Sequence, residues 1–177
     1  SAGYTYDARG RQTGSPNGTY KWNGASKLVG IGDTTFAYNG LGDLESRKDA
    51  AASVRYLYNY ALGLNPIVAE MDAATGKFLR YYVWTPSGVL LYMIDAADGN
   101  KVYHYHFDRT GSTLALTDAN GKVTDAYAYD PFGKILARDG KNAQPFTFVG
   151  RWGGRQEGSD DGGRDDLAGR LYHMRAR

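Results

Sequence analysis

Cysteine is absent from all 177 residues. That excludes disulfides, thiol nucleophiles and cysteine-held metals together. No apolar run reaches the length a membrane-spanning helix needs. The opening residues, Ser1-Ala2-Gly3-Tyr4, lack the charged and apolar regions of a secretion signal. Neither sign of charge dominates, since 21 Lys+Arg face 19 Asp+Glu for a formal net of +2. Apart from Arg170, Arg175 and Arg177 the arginines are scattered, so the electrostatic footprint of a nucleic-acid binder is missing. There is no Gly-x-Ser-x-Gly nucleophile turn and no phosphate-cradling glycine loop. A helical pattern is missing too, and Asp49-Ala50-Ala51-Ala52-Ser53 predicts one turn at most.

What the chain has instead is tyrosine and glycine, 15 and 24 of them. The aromatics suit a pleated, half-buried surface and the glycines supply turns. They come in a recurring phrase. Tyr4-Thr5-Tyr6-Asp7-Ala8-Arg9-Gly10-Arg11 returns as Tyr127-Ala128-Tyr129-Asp130-Pro131-Phe132-Gly133-Lys134. Looser copies lie between: Phe36-Ala37-Tyr38-Asn39-Gly40-Leu41-Gly42, Tyr58-Asn59-Tyr60-Ala61-Leu62-Gly63, Tyr81-Tyr82-Val83-Trp84-Thr85-Pro86-Ser87-Gly88 and His106-Phe107-Asp108-Arg109-Thr110-Gly111. From Gly42 the closing glycines follow at 63, 88, 111 and 133, spacings of 21, 25, 23 and 22. A period in the twenties marks a repeat architecture.

Inside each copy the apolar residues alternate at period two. Tyr4 and Tyr6, Tyr56, Tyr58 and Tyr60, Tyr103, Tyr105 and Phe107, and Tyr127 and Tyr129 each share one face of a strand. Each run stops at an Asp/Asn-x-x-Gly or similar turn. A second class of turn, Asp72 to Lys77, Asp95 to Lys101 and Asp118 to Lys122, divides the units, and Asn120-Gly121 is a strong hairpin signal. The unit is therefore two antiparallel strands and two turns. The chain is expected to be all-β, a curved antiparallel meander of such hairpins that forms a strongly curved sheet, a partial barrel or a wrapped spiral. Tyr20-Lys21-Trp22-Asn23-Gly24 reads as a shortened copy. Pro145 to Trp152, with Phe146 and Phe148 on one face, reads as strand; Gly158 to Asp166 reads as an exposed loop, and Leu167 to Arg175 as a resumed strand.

Recurrence also decides how the motif residues are read. Tyr-x-Tyr in every unit points to a cross-strand aromatic ladder rather than a sugar platform, each pair contributing roughly 0.2–1 kcal/mol over alanine. Asp7, Asp108 and Asp130 stand where a turn opens, and an aspartate there accepts backbone N–H bonds. Arg11 and Lys134 read as strand-surface cations. His104 and His106 share a strand face without an identifiable third ligand, and Asp160, Asp161, Asp165 and Asp166 do not follow the alternating calcium-loop pattern, so no metal or other cofactor is expected. Asp118 and Asp130 are the acids that could meet across strands as a proton-sharing dyad.

The Tyr-x-Tyr-Asp-x-x-Gly phrase at this period resembles the tyrosine-aspartate (YD) or RHS repeat. Tyr103 to Arg177 is similar to the RHS repeat-associated core, through Tyr105-His106-Phe107-Asp108-Arg109-Thr110-Gly111, Tyr127-Ala128-Tyr129-Asp130-Pro131-Phe132-Gly133, Pro145-Phe146-Thr147-Phe148-Val149-Gly150 and Leu171-Tyr172-His173-Met174-Arg175. The resemblance implies residues 1–102 as hairpin repeats and 103–177 as the associated core, continuous as one domain. It implies a β-shell wall that encloses or presents a C-terminal toxin, with the core plugging one end. It further implies export or cell-surface placement in a bacterium, and the toxin or the rest of a parent protein as partner. In that family an aspartyl autoprotease segment follows the core; this chain ends at Arg177, where it would start, so no catalytic residue carries over. The expectation is a non-enzymatic scaffold. Two alternatives stand beside it: a glycan-binding module using Trp22, Trp84 and Trp152, and a remnant of autoproteolysis. A chain starting inside a repeat reads as an excised piece, whose free edges would pair into dimers or be closed by the irregular N-terminal section.

Overall fold

A computed structural model describes residues 3–16, 18–63, 65–157 and 171–173. Fourteen strands follow one another as β1 Thr5–Tyr6, β2 Gln12–Ser15, β3 Gly18–Trp22, β4 Leu28–Ile31, β5 Thr34–Tyr38, β6 Leu44–Lys48 and β7 Ser53–Tyr58. The series continues with β8 Ile67–Asp72, β9 Phe78–Trp84, β10 Leu90–Asp95, β11 Lys101–Phe107, β12 Thr113–Thr117, β13 Val123–Tyr129 and β14 Ile135–Asp139. They make one open sheet in strict chain order, the all-β meander the repeats imply. A separate two-stranded sheet pairs β15 Arg155–Glu157 with β16 Leu171–His173. The only helical element among the described residues is a 3₁₀ turn, Gly150–Trp152.

The residues divide into two compact units, Ser1–Tyr56 with Asp72–Lys77, and Leu57–Met71 with Phe78–Arg177. In the first, register places Tyr20 opposite Ile31, Phe36 opposite Arg47 and Arg47 opposite Val54. Residues opposite each other share a face. That face carries Leu28, Ile31, Phe36, Leu44 and Tyr56, all buried. Tyr4 and Tyr6 stay about 60% exposed, because β1 is a two-residue terminal strand with a neighbour on one side only.

Four of the Asp/Asn turns share one geometry, the Asp118 turn among them, whereas Asp72 and Asp95 accept from residues two and three on. Asp130 Oδ1 accepts the backbone N–H of Phe132 and Lys134, and Asn39, Asp7 and Asp118 do the same two and four residues on. In each, the glycine three residues on donates its N–H to the acid's own carbonyl, from a left-handed conformation. Thr85 fills the same place with its hydroxyl, which accepts from Val89 N. Ser26 holds the glycine's place at φ 58, where Gly10, Gly42, Gly88, Gly111, Gly121 and Gly133 lie at φ 75 to 93. A left-handed L-residue costs roughly 1–2 kcal/mol, partly offset by glycine's greater unfolded entropy. Ser26→Gly is therefore expected to stabilise the first unit by about 0.5–1 kcal/mol, read from a urea midpoint. Gly63 is different. It is not among the positive-φ glycines, and Asn65 takes that conformation instead, at φ 41, because this turn is longer.

A bulge accompanies the turn. Six residues past the acid or its substitute, one residue is skipped by the pairing: Glu45 in β6, Leu91 in β10, Leu114 in β12 and Leu136 in β14. The skipped leucines are 42%, 45% and 64% exposed. A bulge adds local twist, so each of these four hairpins gains twist beside its turn. Successive rim turns in the first unit are also tied by cations. Arg11 reaches Asn23 O and lies over the Trp22 ring, and Lys27 Nζ reaches Gly42 O and lies over Tyr38.

Candidate functional site

In the second unit register builds an aromatic face. Glu70 lies opposite Arg80, Tyr82 opposite Met93, Met93 opposite Tyr103, Tyr105 opposite Leu116, Leu116 opposite Asp125 and Tyr127 opposite Arg138. With Trp84, Phe107, Thr113 and Tyr129 these side chains share one side of β8 to β14. Tyr105 stacks on Phe107 and Tyr127 on Tyr129 along their strands. The stacks thus run within strands and not as the expected cross-strand ladder, because Met93, Leu116 and Arg138 occupy the positions opposite Tyr82, Tyr105 and Tyr127. Trp84 spends its indole N–H on Ile67 O, as Trp22 does on Gln12 O in the other unit.

Residues 144–156 lie on this face. Pro145 to Trp152 is therefore not the expected strand. It runs across the sheet and is held by irregular backbone bonds, with Val149 left-handed at φ 48. Period two alone could not separate the two cases. Phe146 is 1% exposed, with its ring edge-on to Tyr82 at 4.8 Å and to Trp84 at 5.5 Å. Thr113 holds two successive carbonyls there: its N–H donates to Thr147 O at 2.9 Å and its hydroxyl to Phe146 O at 2.6 Å. Gln144 bridges two repeats, accepting from the Tyr105 hydroxyl at 3.2 Å and donating to Tyr127 at 3.1 Å. At the rim, Val149 N donates to Ser112 Oγ and Arg151 N to Gly111 O. A Cβ at Gly111 would strike the Trp152 ring, and one at Gly133 the Phe148 ring. These two glycines thus serve the turn and the close approach at once.

The covered face is polar in part. Arg80 Nη1 meets Glu70 Oε2 at 2.7 Å, with both side chains largely buried. Burial opposes the Arg80 charge, but the Glu70 carboxylate outweighs it and raises its pKa. Burial pushes the Tyr82 and Tyr105 phenols well above their ordinary range, with Glu70 adding to Tyr82 and Tyr127 to Tyr105. The Tyr82 and Tyr105 phenols therefore stay neutral near neutral pH.

The turn acids lie at the rims. Burial works against the Asp108 charge, but the Thr110 hydroxyl and the Ser112 N–H outweigh it and hold its pKa below the usual value. A group depressed in the folded state contributes stability above its unfolded pKa and loses it as pH falls through the folded one. Asp108→Asn is expected to flatten the acid limb of a stability curve followed down to about pH 2. Asp118 and Asp130 do not form a dyad: they open turns at opposite ends of β13. His104 and His106 are exposed on the other face, His104 against the Tyr92 ring and His106 Nε2 at 2.9 Å from Thr117 Oγ1. Among the described residues no three His, Asp or Glu side chains come together as a metal site. The Asp160 to Asp166 loop lies outside the described residues. Phe146 and Gly150 were legible as motif; Thr113, Asp125 and Gln144 were not, because their roles come from a segment distant in sequence.

A single-layer meander of Asp-turn hairpins, with its own C-terminal segment laid on the aromatic face, defines a YD-repeat shell protein. Residues 1–158 match the teneurin YD-shell family, and the chain belongs to it. It is 28% identical over 156 residues to the tRNA3(Ser)-specific nuclease WapA of Bacillus spizizenii, a match covering 82% of this chain and 6% of that protein. It is 24% identical over 165 residues to the double-stranded DNA deaminase toxin A of Burkholderia cenocepacia, covering 75% and 12%. The fold is that of the TcdB2-TccC3-Cdc42 crystal structure, with a TM-score of 0.61 at 16% identity, over 94% of this chain and 9% of that one. The Photorhabdus luminescens Tc holotoxin pore scores 0.58 at 16% identity, over 96% and 10%. The chain thus spans a small fraction of the relatives it matches.

Proposed function

We propose that this chain is a wall segment with its end cap in an RHS-type shell, which encloses a C-terminal toxin and is exported with it. The observation that carries the reading is the seat of residues 144–156 on the aromatic face. A repeat wall leaves its apolar face in need of cover, and here part of that cover is a segment of the same chain. The recurring residues serve the wall itself: tyrosines stack, turn acids bind backbone, and rim glycines admit the cap. The toxin then supplies the activity and the shell supplies confinement. Relatives bearing nuclease and deaminase names over so small a shared fraction agree with a common wall around different activities. The test is protease challenge of the parent polypeptide with its C-terminal domain. Survival of that domain for far longer than in free form is expected. Digestion of both at the same rate would overturn the reading.

A further inference from the structure

We infer that Asp125 is the latch that positions the cap. The cap must leave β14 and turn back over the face, and Asp125 in β13 sits where that reversal occurs. Its side chain is fully buried. It accepts the backbone N–H of Asn142 at 3.0 Å and the Asn142 side-chain amide, and Arg138 Nη2 stands 3.7 Å away. Arg138 in turn donates to Asn142 O at 2.6 Å and lies over the Tyr127 ring at 5.3 Å. Asn142 also reaches Thr124 Oγ1. Both backbone groups of Asn142 are thereby held, one by an anion and the other by a cation. Gly140 permits the approach. Its φ is 95, and a Cβ there would sit inside contact distance of the Thr124 carbonyl and the Asp125 carboxylate.

Asp125 belongs to none of the repeat motifs, and the hairpin ladder does not need it: β13 pairs with β12 and β14 through backbone. A carboxylate on an aromatic face would be costly unless its bonds were made, and the strap formed by residues 140–156 makes them. The strap is thus tied at one rim by Asp125 and at the other by Gly111 and Ser112, with Phe146 anchored between. Asp125 acts through the strap, as a positioning residue. This inference rests on the cap reading, but it is tested on the chain alone, apart from any toxin.

Trypsin reports the strap, because Arg155 is 3% exposed while the strap is seated. Asp125→Ala is expected to speed cleavage after Arg155 by about tenfold or more, since proteolysis follows the open population. Cleavage within β9 to β12 stays slow. Asn142→Ala, which alters the strap and leaves the strands intact, is expected to do the same. The exchanged pair, Asp125→Asn with Asn142→Asp, restores a carboxylate–amide contact and is expected to recover protection. Three results would overturn the latch: continued protection of Arg155 in both single variants, equal loss of protection in strap and strands, or no recovery in the exchanged pair. Failure of toxin protection in the parent with the latch intact would instead count against the shell reading.

Discussion

Phe146→Ala is expected to cost about 3–5 kcal/mol, the range for truncating a buried aromatic. The loss falls on the cap first. The ring is the only large apolar side chain of the segment that is fully buried, and its two edge-on contacts with Tyr82 and Trp84 add to the area it removes from water. Phe146→Leu keeps most of the apolar area and loses the ring geometry, so a cost of about 1–2 kcal/mol is expected. Urea unfolding followed by intrinsic fluorescence measures both, since Trp84 lies in the seat and Trp152 in the cap. If both variants unfold like the unmodified protein, the seat is not the anchor described above.

The second large effect concerns the pair under the face. Glu70→Gln leaves the Arg80 guanidinium buried beside a neutral amide, and removing one partner of a buried pair costs roughly 3–5 kcal/mol. Removing both partners, as Glu70→Leu with Arg80→Leu, is expected to cost far less, because the desolvation of two charges disappears with their attraction. Asp95, opposite Arg80 on β10, already has Lys101 as a cross-strand neighbour, so the double variant leaves no lone buried acid there. The comparison is a urea midpoint for three proteins. A double variant as unstable as the single one would mean that the pair stabilises the wall outright.

The meander was legible because each repeat states its own geometry. Tyr127-x-Tyr129-Asp130-x-x-Gly133 sets face, stop and turn within seven residues, all from local chemistry. The bulges were not legible, because Leu91, Leu114 and Leu136 look like ordinary alternating apolar residues and only the turn's hydrogen bonds fix the skip. The cap shows the same limit. Phe146-x-Phe148 has strand periodicity, yet Phe146 points into a seat made by Tyr82 and Trp84, more than sixty positions earlier. Asp125 gave no signal at all, since one acid in the strand Val123–Tyr129 has no motif and its partner arrives from beyond β14.

Amide hydrogen exchange, read residue by residue, is the most direct test of the central claim that the aromatic face is a wall covered by its own C-terminal segment. Thr113, Val149 and Arg151 donate their N–H across the seat rather than within the ladder. They are expected to exchange as slowly as the strand amides of β10 to β13, and to open together. Rapid exchange at all three, with the strands still protected, would show a bare face and contradict the account.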